Sequence, residues 1–399
     1  MNKRFRFFFA FLILSFAVLS CTLLPLGIDS TPPPASGQVE TLVASTLQAL
    51  TPDVPGALLP QTFYYLGRDN VGFTQVFRLE RDGATRRQLT SEPANVDDYD
   101  VSPADGSVAF VANNQLLLIN ADGSGRRLLV DGGAVDQNNP FLTAINNPVF
   151  SPDGRTLAYG HKGLNLYAIS SGVSNLVIEN QIEDSGSGFR LPKELYWPER
   201  YSPDGSKLLI TLGYYEGASA AVYYPASNSL VRLTEAQGAL ICCDETEWSP
   251  DGSSFYAASS SMGMFNSGLW RVDASSGEVS TLFSSNLDSG SFMYADEAYL
   301  APDGQLYFFF AEAATEFMTR PPLQLVRSAP DGVTGRTALL PDTFELMNEA
   351  LWAPDASFVV VAFAPTEHVA PGGQAEIVYL DGRPNVVLAP FAQQMKWGP

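Results

Sequence analysis

Seven positions of the chain recur in register: Asp98, Asn147, Pro198, Glu245, Glu297, Glu349 and Gln394. Each lies three residues ahead of a bulky side chain, in turn Val101, Phe150, Tyr201, Trp248, Leu300, Trp352 and Trp397. Four of the seven are acids, and Asp97, Asp244 and Asp296 lie beside them. Carboxylates gathered at one level can hold a hard cation or a partner's Lys or Arg, or share acid/base work on a sugar chain. Their other reading is a hydrated polar lining. No compact calcium loop of the EF-hand kind is present, so no metal site is expected. Cys242 and Cys243 are adjacent. Outside the cytoplasm they can close a vicinal disulfide; otherwise they are two free or buried thiols. His161 and His368 are the only histidines, so a base for a Ser or Cys nucleophile would have to come from one of them. The HExxH, G-x-S-x-G and CxxC patterns are missing. No catalytic residue and no cofactor are assigned.

The elements that must position these residues repeat. Ser102-Pro103-Ala104-Asp105-Gly106, Ser151-Pro152-Asp153-Gly154, Ser202-Pro203-Asp204-Gly205 and Ser249-Pro250-Asp251-Gly252 are variants of one turn. Ala301-Pro302-Asp303-Gly304 and the worn Ala353-Pro354-Asp355-Ala356 continue the series, and the Asp-to-Asp steps are 48, 51, 47, 52 and 52 residues. Pro presets φ, Asp bonds the backbone two residues on, and Gly accepts positive φ. A short strand precedes each turn and three more follow it, as in SVAFVA (107–112), LLLIN (116–120) and RRLLV (126–130). Four antiparallel strands per repeat of this length describe a propeller blade.

Six turns suggest six blades, with residues 62–90 as an N-terminal appendage. Residues 62–90, however, hold three strands of a blade without its first strand. The chain ends Met395-Lys396-Trp397-Gly398-Pro399, a first strand running into the start of the turn. The expectation is therefore an all-β, seven-bladed β-propeller of four-stranded antiparallel blades, spanning 61–399 and closed by the C-terminal strand. The W-SPDG hairpin resembles the TolB-type propeller repeats, distant relatives of the WD repeats. That resemblance implies the fold, and a scaffolding role in the cell envelope as one expectation. The Ala at positions 104, 301, 353 and 356 departs from the repeat.

Upstream, the basic NKRFR (2–6) and the apolar FFFAFLILSFAVL (7–19) form an export signal, too short for a spanning helix. Leu19-Ser20-Cys21 looks like a bacterial lipoprotein cleavage site, with residues 1–20 removed and Cys21 lipidated. Residues 21–60 read as a Pro-rich tether carrying a short amphipathic helix over 37–50. The 399 residues carry a net charge of −20, which becomes −23 once residues 1–20 are gone. Such acidity argues against nucleic acid as a partner. It also leaves the lipid on Cys21 as the one expected membrane attachment. Apolar residues at 45 % exclude a disordered chain.

Antiparallel strands sort the connections onto two faces. The SPDG turns share one face, and the long links share the other, among them 179–198, 213–219, 259–268 and 284–297. That loop face carries Tyr196, Trp197, Tyr214, Tyr215, Phe265 and Tyr294. Together with a channel mouth of Asp98, Glu245, Glu297 and Glu349, it suits a protein, peptide or glycan of the cell envelope. The leading expectation is a lipid-anchored, extracytoplasmic, non-catalytic binding module. The alternative is a glycan lyase or hydrolase built on the channel-mouth acids.

Overall fold

Every blade is made of strands that climb and fall between the two faces, so each blade exposes two edges and two apolar sides. In the computed structural model the described residues are 57–399, apart from 185, 187–189, 237, 244, 245, 261–264, 287–289, 316–319 and 370. They belong to the compact unit Val54–Pro399. The signal, Cys21 and the tether helix lie outside the described residues, as does Glu245.

Blades 2 to 6 are separate sheets over 96–131, 146–179, 181–232, 246–284 and 292–344. The sixth sheet has seven strands because the last strand, Val386–Trp397, serves two blades. Its first part completes blade 7, with Ile377 opposite Val386 and Gly373 opposite Ala392. Its second part opens blade 1, with Phe63 opposite Trp397 and Leu66 opposite Gln393. This is the expected seven-bladed ring with C-terminal closure, and it removes the six-blade reading.

The SPDG turns form as their chemistry dictates. Ser151 Oγ donates to Asp153 Oδ1 at 2.6 Å, and the Arg155 amide donates to the same oxygen at 3.0 Å. The Gly154 amide closes on the Ser151 carbonyl at 2.8 Å, with Gly154 at φ 68°. In blade 7 Ala356 takes that place at φ 55°, a left-handed backbone that costs a residue with a Cβ about 1 kcal/mol.

The core lies between blades. Blades 2 and 3 share Val111, Leu116, Phe150 and Tyr159, and blades 3 and 4 share Leu164, Tyr201 and Ile210. Blades 1 and 7 share Phe63, Phe77, Val360 and Ile377. One such cluster occupies each of the seven junctions among the described residues. Removing the closing strand would therefore expose two apolar blade sides at once.

Two of the expected long loops are sheet. At 213–219 the chain makes a tight hairpin, with Tyr214 opposite Gly217. Within 179–198, strand Gln181–Asp184 pairs with the start of the 12-residue strand Arg190–Tyr201, Asp184 opposite Arg190. The Ser-Gly run 185–188 hides this hairpin in the sequence, because small polar residues read as loop.

Candidate functional site

First strands of consecutive blades lie side by side at every junction but that between blades 4 and 5 among the described residues, which brings most of the recurrent positions together. Asn147, Glu297 and Gln394 share a left-handed backbone there, at φ 48°, 49° and 51°. At that level of the strands, an acid reaches sideways to the next blade. Asp98 Oδ2 accepts the amide of Asn147 at 2.7 Å. Glu297 Oε1 accepts the amide of Ala350 at 3.0 Å. Glu349 Oε2 accepts the amide of Gln394 at 2.7 Å, and its Oε1 accepts the amide of Met395. Three of the channel-mouth acids thus tie one first strand to the next: blade 2 to 3, blade 6 to 7, and blade 7 to 1. Indoles reinforce the same junctions. Trp352 Nε1 donates to the Glu297 carbonyl at 2.8 Å, and Trp397 Nε1 to the Trp352 carbonyl at 2.7 Å.

Between blades 4 and 5 the arrangement shifts by one residue. Pro198 has no acceptor to offer, and Glu199 takes the role. This buried carboxylate accepts the amide of Cys243 at 2.9 Å and the hydroxyls of Thr211 and Thr246. Sequence reasoning passed over Glu199 because it lies one step off the register. The signal was a Pro in an acid slot followed at once by an acid.

The acids differ in setting. Burial, with Asp296 and Glu349 nearby, pushes Glu297 well above the usual carboxylate range. Beside it, Asp296 is buried and Arg320 pairs with its Oδ2 at 2.7 Å. Ser260 Oγ donates to the same oxygen at 2.8 Å and receives Arg320 Nε at 3.0 Å. This Asp–Arg–Ser cluster joins the first strand of blade 6, which carries Asp296, to one connection each of blades 5 and 6, which carry Ser260 and Arg320. Asp296 was flagged as a neighbour of the acid series; Arg320 and Ser260 carry no sequence signal.

The loop-face aromatics separate into two groups. Tyr196 and Tyr294 are buried, which corrects their reading as contact residues. Tyr294 belongs to the core between blades 6 and 7, and the Tyr196 hydroxyl receives Gln181 Nε2 at 3.0 Å. Trp197 is half-buried against Gly213, where an added Cβ would come within 2.5 Å of the indole. Phe265 is half-buried. Tyr214 and Tyr215 stand out at the tip of the blade 4 hairpin, 39 % and 58 % exposed. Below that tip Arg232 grips Glu194 through two bonds of 3.0 Å.

The two cysteines are joined, Cys242 to Cys243. His368 is exposed beside Glu367. His161 is half-buried, and burial, with Lys162 next to it, holds its imidazole below the usual range. Among the described residues no three of His, Cys, Asp and Glu gather as a metal-ligand set, and no helix is long and apolar enough to cross a membrane.

No protein-family model and no curated protein sequence matches the chain. Solved structures do. A prolyl endopeptidase matches at 13 % identity and a TM-score of 0.52, over 91 % of this chain and 56 % of its own. An oligogalacturonate lyase solved with manganese matches at 10 % identity and 0.52, over 82 % and 84 %. TolB from Acinetobacter baumannii matches at 17 % identity and 0.43, over 92 % and 74 %. The likeness is one of fold.

Proposed function

We propose that this chain is an extracytoplasmic, lipid-anchored propeller that binds an envelope protein, peptide or glycan on its loop face and performs no chemistry there. One observation carries the reading: Asp98, Glu297 and Glu349 already accept backbone amides of the next blade. A carboxylate committed to a buried amide is a poor general base, and removing it would loosen the ring. The contact surface falls instead to the blade 4 hairpin tip, where Tyr214 and Tyr215 offer aromatic faces above the Glu194–Arg232 pair. Exposed tyrosines bind partners at low entropic cost. The export signal, the Cys21 site and the acidic body support the location.

The test is capture from the native envelope by wild type and by a Tyr214→Ala/Tyr215→Ala variant, followed by a glycan array. A partner retained at full strength by the variant counts against the hairpin tip. The rival reading, an enzyme acting on acidic glycans, draws on the Asp296–Arg320–Ser260 cluster beside Glu297. It predicts turnover on a polyuronate panel that Glu297→Gln abolishes in a folded chain.

A further inference from the structure

The junction between blades 4 and 5 differs in one respect from the three tied by Asp98, Glu297 and Glu349. Where Asp98, Glu297 and Glu349 accept amides of the next first strand, Glu199 accepts the amide of Cys243, in the loop that leads into that strand. The grip of Glu199 on Cys243 therefore depends on where the Cys243 backbone points. Cys243 lies at φ 67°, the left-handed region that a residue with a Cβ avoids. Its sulfur is bonded to the neighbouring Cys242, and that short covalent ring restricts both residues. The amide so directed meets Glu199 Oε1 at 2.9 Å and Thr211 Oγ1 at 3.1 Å, while Thr246 Oγ1 reaches Glu199 Oε2 at 3.1 Å. Glu199, Thr211 and Thr246 are all buried.

The two cysteines face different surroundings. Cys242 is 2 % exposed, next to Ile241 of the core between blades 4 and 5. Cys243 is exposed. A bond with one reachable and one shielded end favours attack at the reachable end.

We propose that Cys242–Cys243 is a thiol–disulfide exchange site that takes a dithiol reductant at Cys243 and, when opened, releases the Glu199 latch between blades 4 and 5. In the first step a thiolate of the reductant bonds to Cys243 Sγ. The Cys242–Cys243 bond breaks, and its electron pair stays on Cys242 Sγ, which takes up a proton. In the second step the reductant's other thiol, as thiolate, attacks its own sulfur in the mixed disulfide. Cys243 leaves as thiolate and is protonated. The chain gains two electrons and two protons, and the reductant becomes a cyclic disulfide. With the ring open, Cys243 relaxes from its left-handed backbone and its amide turns away from Glu199. Glu199 then keeps its bond from the Thr246 hydroxyl without that amide. This loop adjoins the hairpin bearing Tyr214 and Tyr215 through Thr211, which lies on the same strand as Tyr214. The redox state of the pair thereby sets the rigidity of one sector of the loop face.

The experiment uses the purified, oxidised full chain and does not depend on where the protein resides in the cell. Limiting glutathione is added, thiols are trapped with N-ethylmaleimide, and peptides are weighed. The expected glutathione adduct is on Cys243, at least tenfold over Cys242. Amide hydrogen exchange is then compared with and without dithiothreitol. Reduction should speed exchange at Cys243 and Thr246 at least tenfold and leave Gln394 and Met395 unchanged. A Cys242→Ser/Cys243→Ser variant should show the reduced pattern without reductant. The proposal is overturned by an adduct on Cys242, by exchange that ignores reduction, by loosening spread evenly around the ring, or by two free thiols in the oxidised preparation. The wild-type arms decide the matter even where the double variant fails to fold.

Discussion

Carboxylates accept backbone amides in two regions of this molecule, and the surroundings are opposite. On the turn face the bond is local. Asp153 reaches the amide two residues on, and Asp273 does the same for Ser275. The Ser275 hydroxyl, with the amide and hydroxyl of Ser276, holds Asp273 down at about 2. On the inner ring the bond spans a whole blade, joining residues 49, 53 and 45 positions apart. There burial pushes Glu297 up. One chemical device thus forms a turn where water surrounds it and fastens blades where water is scarce. An exposed bond of this kind contributes little beyond its own turn; a shielded one leaves amides stranded when it is lost.

Deleting residues 393–399 removes the strand that pairs with Phe63–Arg68 and the Glu349 acceptor bonds together. Cooperative unfolding in urea should disappear, and a truncated chain with a sharp transition would contradict the closure. Glu349→Ala strands two amides at the blade 7–1 junction and should cost about 3 kcal/mol. Asp153→Ala removes exposed turn bonds and should cost about 1 kcal/mol. Tyr214→Ala/Tyr215→Ala should shift stability by less than about 0.5 kcal/mol while lowering partner capture.

The two sets also respond to pH with opposite sign. Asp273 is held below its unfolded value of about 3.9, so its contribution is present above that pH and is lost as pH falls through about 2. Glu297 is raised above its unfolded value of about 4.3. Its contribution is present below that pH and is lost as pH rises toward the raised value. Asp273→Asn should flatten the acid limb of a stability–pH curve, and Glu297→Gln the limb above pH 4.3. The same limb flattened by both would erase the distinction.

What was legible in the sequence follows the same division. The SPDG turns declare themselves because every bond in them lies within five residues. Their count, with Trp397 in the slot of Trp352, was enough to expect seven blades and the closing strand. The recurrent acids were visible as a series, but not their partners, because no local pattern says which amide 45 or more residues away a side chain will meet. The strand pairing within 179–198 was hidden in the sequence by the Ser-Gly run 185–188. Tyr196 and Tyr294 read as contact residues because a segment named a loop lends exposure to every aromatic in it; here both lie on strands whose alternate residues enter the core. Glu199 escaped through a one-residue offset beside Pro198.

The most direct test of the inner ring is amide exchange at Gln394 and Met395, read together with the urea unfolding free energy, in wild type and Glu349→Ala. The account predicts a variant that still folds, loses about 3 kcal/mol, and exchanges those two amides faster than its blade 2–3 junction at Asn147. Stability and exchange equal to wild type would mean that Glu349 is not a latch and that the channel-mouth acids are free for a ligand.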